Sequence, residues 1–339
     1  MRFRALSAAA AAAVLAACGG RTVQAPPEPA ADLVVYSSHP AEMVREIVRE
    51  FRDRTGLRVR VVAGGTGELL GRLRSGVDGP RADLLWGGGA ESLAAATDLL
   101  EPYVSPQAAA VPPGLKDPDG AWTGFTVLPM VLIVNGRLLP ESRAPRSWSD
   151  LGADAYRGSV AYADPSVSGS AYTILRTLLM AGGGGEAGWK VLADLARTLE
   201  GSVLPESSQV FRSVASGEYL VGLTFETAVT DAGRTGSDVR VVYPADGTSA
   251  VPDCVAVVRG APHPEAARAF VDFVLGPDVA AVVVGRFGRR SARTDAPAPA
   301  GLPPLEALRL VPYDVGASAS ERDATLARFR DLLGRSARP

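Results

Sequence analysis

The chain has 339 residues, of which 47% are hydrophobic and 21% are charged. This length and composition are ordinary for a soluble globular protein of about two domains. The 35 basic and 37 acidic residues give a formal net charge of −2. Arginines and lysines are scattered among acidic residues along the predicted helices, so the charge pattern does not indicate a nucleic-acid-binding protein.

The N-terminal segment has the pattern of a secretory signal. Two arginines precede an alanine- and leucine-rich run in "MRFRALSAAAAAAVLAAC", and a run of this length is too short to span a membrane. It ends in Leu15-Ala16-Ala17-Cys18, which resembles the lipobox of bacterial lipoproteins. The resemblance implies cleavage before Cys18 and attachment of lipid to its sulfur. A plain signal peptide with an incidental cysteine is the alternative.

The segment after the cysteine is predicted to be a tether. Residues Gly19–Asp32, "GGRTVQAPPEPAAD", are small, polar and proline-rich, which is typical of a flexible linker. We therefore assign residues 1–17 to the signal peptide and residues 18–31 to a lipidated tether. A lipid anchors a protein to a membrane without spanning it, so we expect the mature protein outside the cytoplasm, periplasmic or at the cell surface.

The other cysteine, Cys254, is predicted to be a small buried hydrophobe. It lies in the apolar run "VPDCVAVV". The chain has two cysteines in all, and lipid on Cys18 leaves Cys254 without a disulfide partner.

From residue 32 onward, strands, loops and helices alternate three times. Leu33–Tyr36 leads into the loop Ser37-Ser38-His39, Val59–Ala63 leads into "GGTGELLGRL", and "ADLLW" leads into "GGGAESLAAA". Repetition of this unit predicts a parallel α/β sheet. Ligands in open α/β sheets bind beyond the carboxyl ends of the strands, so these glycine- and hydroxyl-rich loops predict a binding site.

The first helix is predicted from the spacing of its apolar residues. Val44, Ile47, Val48 and Phe51 recur at helical intervals among glutamates and arginines. Gly56 then predicts where the helix ends.

A second α/β set begins after the long apolar segment Phe125–Val134. It contains the short strand Ser159–Ala163, the serine-rich helix start "DPSVSGSAYTIL", and the strand Tyr219–Phe225. Cys254–Val258 is predicted to rejoin the first sheet, so the second set lies inside the first. The predicted organisation is lobe 1 from residues 32–126 and 246–290, lobe 2 from residues 127–245, and a C-terminal segment of residues 291–339 that packs on the lobes.

Candidate ligand-binding residues lie on five loops and at one strand end. The loops offer hydroxyls, backbone N–H groups or both, and such neutral donors suit a phosphate, phosphonate or sulfate. A turn that caps its own helix is the alternative for each loop taken singly. A carboxylate at a strand end would accept hydrogen bonds from sugar hydroxyls or an amine, or else favour a helix start. The candidates are Ser37, Ser38 and His39; Thr66 and Gly67; Gly88 and Gly89; Ser166, Ser168, Gly169 and Ser170; Ser207 and Ser208; and the carboxylate Glu226.

Enzyme signatures do not accompany these loops. The glycine-rich "GGTGELLG" has no Gly-Lys-Ser/Thr ending, "GGGAES" is a weak dinucleotide fingerprint, and no G-x-S-x-G motif occurs. Two isolated histidines and one remaining cysteine disfavour a zinc site. We therefore expect a binding protein without catalytic residues, metal or cofactor.

Four segments, in this order, resemble the extracellular solute-binding proteins of bacterial ABC importers. They are "LVVYSSHPAEMVREIVREFRDRTGLRV", "ADLLWGGGAES", "VASGEYLVGLTFE" and "VYPADGTSAVPDCVAVVRGAPHPEAARAFVDFVL". The chain is most similar to the branch that binds ferric iron, phosphorylated sugars or phosphonates, the type II periplasmic binding proteins, from about Leu33 to Leu333.

The resemblance implies a fold and a set of partners. The fold would be an α/β protein of two lobes, joined by two crossing hinge strands, that closes on a ligand in the cleft between them. The crossings would be "GFTVLPMVLIV" and "VRVVYPADGTSAV". The implied partners are a permease and its ATPase in the inner membrane, and we expect a monomer attached to the membrane only by its lipid.

The resemblance also narrows the solute. Ferric binders of this branch use two adjacent tyrosines where this chain has Thr224-Phe225-Glu226, and binders of phosphorylated solutes carry a Glu-Asp pair where it has Glu226 and Thr227. We therefore predict a lipid-anchored receptor for a small organic anion. The alternatives are a ferric-ion receptor of an ABC importer and, in another class, an extracytoplasmic enzyme such as a phosphatase on the same scaffold.

The anchor can be tested with Cys18→Ser. This substitution removes the sulfur to which lipid would attach, so the variant is expected to lose its lipid label and leave the membrane fraction. Metabolic labelling with a fatty acid and membrane fractionation measure both effects. A variant that keeps label and membrane association would contradict the lipobox.

Overall fold

The computed structural model describes residues 31–76 and 79–336. The predicted signal peptide, nearly all of the tether and Cys18 therefore lie outside the described residues. The described strands are β1 (Leu33–Ser37), β2 (Val59–Ala63), β3 (Leu84–Gly89), β4 (Leu100–Glu101), β5 (Thr123–Asn135), β6 (Val160–Ala161), β7 (Val221–Phe225), β8 (Val239–Val242), β9 (Ala250–Val258) and β10 (Arg290–Ser291).

Most helices lie between these strands in the sequence, and the last two follow the final strand. None that the structure describes has the length and the apolar run needed to cross a membrane. The α-helices are α1 (Ala41–Thr55), α2 (Thr66–Ser75), α3 (Ala90–Ala94), α4 (Gly169–Ala181), α5 (Gly185–Leu199), α6 (Ser207–Ser216), α7 (Ala228–Thr235), α8 (Pro264–Val274), α9 (Pro277–Phe287), α10 (Val315–Ser320) and α11 (Arg322–Ser336).

The first sheet follows the predicted strand–loop–helix units. Strand β1 pairs in parallel with β2 and β3, and β9 then returns antiparallel to β3. The order β2-β1-β3-β9-β5 makes the sheet mixed, with the short strands β4 and β10 added along β9 and β5. The carboxyl ends of β1, β2 and β3 share one edge, where the polar loops meet.

The second sheet shares β5 with the first. The first half of β5 pairs with β9, as in Val127↔Pro252, and the second half pairs with β7 and β8, as in Leu132↔Leu223. The segment between β8 and β9 crosses beside it, since Thr248 Oγ1 donates to the Met130 carbonyl at 2.6 Å. These are the two crossings of a two-lobe periplasmic-binding-protein fold. We call the elements around the first sheet the first lobe and those around the second sheet the second lobe.

Helix α1 shows how the apolar pattern builds the first lobe. The four residues predicted from spacing, together with Met43, are its buried face. The fully buried ring of Phe51 lies edge-on to Phe270 with ring centroids 5.0 Å apart. Gly56 ends the helix in the left-handed region, at φ 71°, and its N–H bonds the Arg52 carbonyl, which is the usual role of a glycine after a helix.

The C-terminal segment contacts both lobes. Tyr313 and Val315 pack on the core of the first lobe around β1 and α3. Helix α11 packs against α5 of the second lobe, where Phe329 is 1% exposed and Arg328 pairs with Glu186 at 2.8 Å. The residues that follow β10 therefore bridge the two lobes.

Candidate functional site

A cleft of about 950 Å³ lies between the two lobes. Its first-lobe wall is the row of loops after β1, β2 and β3, and its second-lobe wall is formed by the beginnings of α4, α6 and α7. Ten of the residues predicted from sequence line it: Ser38, His39, Thr66, Gly88, Gly89, Ser168, Gly169, Ser170, Ser207 and Ser208.

The N-termini of α2 and α4 meet across the cleft. A Cβ on Gly169 would lie 3.2 Å from Thr66 Oγ1, and one on Gly67 would lie 3.2 Å from the Ser166 carbonyl. Glycine thus permits the close approach of the two lobes here. Since a helix N-terminus carries unpaired N–H groups and a partial positive charge, this meeting point favours an anion.

The serines at the start of α4 combine two roles. Ser168 Oγ accepts the Ala171 N–H at 3.2 Å, so it is the N-cap of α4. The same oxygen lies 3.2 Å from Ser170 Oγ, and both serines line the cleft. Ser168 therefore caps its own helix, as the alternative for this loop predicted. Its hydroxyl nevertheless still lines the cleft.

The end of β3, where the pairing with β9 shifts register between Trp86 and Gly89, closely approaches the loop after β1 and the start of α2. Gly87 and Gly88 have φ values of 115° and 94°. A Cβ on Gly87 would lie 2.5 Å from Ser38 Oγ, and one on Gly88 would lie 2.5 Å from Thr66 Cγ2. Both positions therefore require glycine. Beside these two glycines, the hydroxyls of Ser38 and Thr66 lie 3.3 Å apart.

Three of the predicted residues near these loops do not line the cleft. Ser37 is buried, donates its hydroxyl hydrogen bond to the Trp86 carbonyl at 2.8 Å and accepts the His39 N–H. Ser166 is exposed and donates to Asp164 Oδ1 at 2.6 Å. Gly67 faces the second lobe through its backbone. Their hydrogen bonds and packing shape the loops that hold the lining residues.

Glu226 also lies outside the cleft lining, although the sequence predicted it as a ligand-binding carboxylate. It is 2% exposed, and Arg290 donates to its two oxygens at 2.6 and 2.8 Å. Tyr243 donates to Oε1 at 2.6 Å. Arg290 belongs to β10 in the first lobe and Glu226 follows β7 in the second, so the carboxylate joins the lobes at the crossings instead of facing the cleft.

Sequence reasoning missed a charged group at the floor of the cleft. Arg289 Nη1 lies 2.9 Å from Asp253 Oδ2, and both side chains are buried. Asp253 Oδ1 accepts the N–H and hydroxyl of Thr126, at 3.0 and 2.6 Å. The sequence did contain one sign of this pair, because Asp253 lies inside the apolar run "VPDCVAVV". A buried carboxylate needs a partner, so its position indicates a nearby cation.

His39 lies beside this pair as a neutral ring. Burial lowers the pKa of His39 to about 4, although the nearby Asp253 carboxylate opposes the shift. Its ring packs edge-on to Trp86 and Phe125, and its Nε2 has no hydrogen-bond partner within the described residues. His39 therefore offers an uncharged polar ring at the cleft floor.

Charged side chains of both signs stand around the rest of the cleft. Arg234 of α7 pairs with Glu42 of α1 across the mouth, with both side chains about half exposed. Arg212 and Asp231 also line the cleft, and burial raises the pKa of Asp231.

Among residues 31–76 and 79–336, no three His, Cys, Asp or Glu side chains are grouped to hold a metal ion.

The position of Glu226 leads to a stability prediction. Glu226→Gln keeps the shape of the side chain but leaves Arg290 buried without its counter-charge, so it should lower the free energy of unfolding by about 3–5 kcal/mol. Glu265→Gln, on the exposed start of α8, is the matched control and should change it by less than about 0.5 kcal/mol. Denaturant titration measures both. Equal stability of the two variants would contradict the ion pair.

The sequence matches a known family over most of its length. The family described as bacterial extracellular solute-binding protein matches residues 78–315. The "Probable ABC transporter periplasmic-binding protein y4fP" of Sinorhizobium fredii is 28% identical over 264 residues, which cover 76% of this chain and 73% of that protein. "Iron uptake protein A1" of Synechocystis sp. is 27% identical over 286 residues, which cover 77% of each chain.

A solved structure agrees in fold. The periplasmic binding protein AfuA from Actinobacillus pleuropneumoniae, with exogenous fructose-6-phosphate bound, superimposes with a TM-score of 0.83 at 23% identity, covering 89% of this chain and 98% of AfuA. At 23% sequence identity, this structural similarity shows that the two proteins share a fold, and nothing more. The family resemblance inferred from the sequence is confirmed: with a family match over more than half of its residues, a two-lobe fold and an interlobe cleft, the chain belongs to the bacterial extracellular solute-binding proteins, the substrate-binding components of ABC importers.

Proposed function

We propose that this protein is a lipid-anchored receptor that captures a small organic anion, such as a phosphorylated sugar or a phosphonate, and delivers it to an ABC permease. The observation that carries the proposal is the meeting of the α2 and α4 N-termini at one cleft. Hydroxyls from both lobes stand beside them, on Ser38, Thr66, Ser168 and Ser170. A solute held by both sets of donors would hold the lobes together.

The chemistry of these donors supports an anion held reversibly. Backbone N–H groups and hydroxyls are uncharged, and several of them can share the charge of one phosphate or phosphonate. Arg212 adds positive charge to the cleft wall, whereas Arg234 and Arg289 are paired with Glu42 and Asp253. Carboxylates that also line the cleft, such as Asp231, would accept hydrogen bonds from hydroxyl or amino groups of a solute. This combination suits a solute with an anionic end and a polar body.

The proposal includes the organisation predicted from sequence. Residues 32–126 and 246–290 form lobe 1, residues 127–245 form lobe 2, and residues 291–339 pack on both. The change of partner along β5, between Pro129 and Met130, supports a boundary near residue 127. Cys18 carries the lipid, residues 18–31 are the tether, and a monomer docks on the permease and its ATPase.

A ferric-ion receptor is the second candidate, because the Synechocystis relative is named for iron uptake. Against it, Thr224-Phe225-Glu226 contains no tyrosine at the strand end where the resemblance implies the tyrosine pair of ferric binders, and both oxygens of Glu226 accept hydrogen bonds from Arg290. Iron bound through phenolates would give the purified protein a visible absorption band. Its appearance with ferric citrate would favour this candidate over the anion receptor.

The serine donors allow a direct test of the anion receptor. Calorimetry should find binding among fructose 6-phosphate, 2-aminoethylphosphonate, 3-phosphoglycerate and inorganic phosphate. Ser168→Ala combined with Ser170→Ala should raise the dissociation constant roughly 10- to 1,000-fold. A neutral hydrogen bond contributes about 0.5–1.5 kcal/mol, one to a charged group contributes about 1.5–3 kcal/mol, and about 1.4 kcal/mol is tenfold. The solute should be recovered unchanged, as expected of a receptor and not of a phosphatase.

The matched control separates capping from binding. Asp314→Ala removes the side-chain cap of α10, which lies outside the cleft lining, and should reduce stability by about 0.5–2 kcal/mol without changing affinity. If the serine variant behaves like this control, losing stability while binding every anion as tightly as the wild type, the serines are caps only and the proposal is wrong.

A further inference from the structure

Glu91 is a buried carboxyl group between the two lobes. It lies in the first turn of α3, is 0% exposed, and accepts a hydrogen bond at Oε1 from the Thr173 hydroxyl of α4. Helix α3 belongs to the first lobe and α4 to the second. Thr173 lies one turn after the α4 N-terminus and lines the cleft, so this contact joins the lobes at the wall where the solute is proposed to bind.

The surroundings of Glu91 suit an uncharged acid. Its Oε2 has no hydrogen-bond partner within the described residues, and neither has the neighbouring Ser92 hydroxyl. An ionised carboxylate buried with one oxygen unpartnered is costly, even though the Thr173 hydroxyl and the Glu91 backbone N–H favour the charged form. Burial accordingly raises the pKa of Glu91, against the opposing effects of the Thr173 hydrogen bond and of two arginines.

The charged and titratable groups that face Glu91 come from four elements. Arg176 of α4 gives its hydrogen bonds to Ser318, Glu321 and Thr325. Arg322 of α11 lies over the Tyr172 ring at 4.2 Å and donates to the Pro165 carbonyl. None of these bonds neutralises a charge on Glu91. The full set is Tyr172 and Arg176 on α4, Tyr313 before α10, Arg322 on α11 and Cys254 on β9.

We propose that Glu91 is a positioning residue for solute capture: as an uncharged acid it holds Thr173, and with it the N-terminus of α4, against the first lobe. Opening of the cleft separates the lobes, exposes the carboxyl group to water and lets it ionise. Between the open-form and closed-form pKa values of Glu91, closure is therefore coupled to proton uptake at this carboxyl group, by at most one proton. The inference deepens the proposed function, because it rests on hinge closure around the same cleft.

The direction of the pH dependence follows from linkage. The pKa of Glu91 is higher in the closed form than in the open form, where it approaches the ordinary glutamate value of about 4.3. Below that value the carboxyl group is protonated in both forms and the contact is fully present. As pH rises through the closed-form pKa, the ratio of closed to open protein falls by at most tenfold per pH unit.

The test uses the solute-free protein in a Cys18→Ser background, at pH 5, 6, 7 and 8. Small-angle scattering should show that the wild-type sequence expands as pH rises, whereas Glu91→Gln stays compact because its amide cannot ionise. Glu265→Gln, the same substitution on the exposed surface, should expand like the wild type. Parallel denaturant titrations should show the wild type losing stability with rising pH relative to Glu91→Gln.

Substitution at Thr173 provides a second line of evidence. Thr173→Val removes the donated hydrogen bond and should expand the protein at every pH, whereas Thr173→Ser restores the hydroxyl and should restore the wild-type profile. A wild-type radius that does not change with pH, or a Glu91→Gln profile that runs parallel to the wild type, would overturn the proposal. No solute is used, so either result leaves the identity of the proposed solute unaffected.

Discussion

Strand β5 is the constraint on which the rest of the structure depends, because one backbone of thirteen residues runs through both sheets. All of these residues are buried, which explains why the segment reads as a continuous apolar run instead of an alternating one. Beside it, the return crossing is fixed by the bonds between Met130 and the Thr248–Ser249 segment. Two adjacent crossings join the lobes where β5 changes partners, between Pro129 and Met130, and the closure that we propose is a rotation about this line.

The contacts between the lobes differ in type and in burial according to their distance from the line where β5 changes partners. At the crossings, Glu226 and Arg290 form a buried ion pair that need not break when the lobes rotate. Beside the cleft, Glu91 meets Thr173 through a hydrogen bond that rotation would separate. At the mouth, Arg234 and Glu42 form an exposed pair, which contributes little stability in water. The contact at the crossings is therefore a buried ion pair, whereas the contacts beside the cleft and at its mouth are one hydrogen bond and one exposed ion pair. This difference suits the reversible closure that we propose.

The sequence predicted the fold more completely than the site. Apolar spacing identified α1 and its buried face. The order of strands and loops predicted a second α/β set inside the first, and the family resemblance implied the two lobes joined by two crossing strands. The loops with hydroxyls and glycines reached the cleft because parallel strands place their carboxyl ends at one edge. Glu226 was misplaced for a physical reason: its partners Arg290 and Tyr243 are distant in sequence, and only tertiary structure reveals that they use both of its oxygens. Arg289 and Asp253 were missed for the same reason.

In the proposed function, a solute bound by donors from both lobes closes the cleft. Small-angle scattering of the Cys18→Ser protein, with and without a saturating concentration of the anion that calorimetry identifies, tests it most directly. We expect a smaller radius of gyration in the bound state, with a scattering profile that matches the two-lobe structure described above. An unchanged radius at saturation would contradict it, since the solute would then bind without bringing the lobes together.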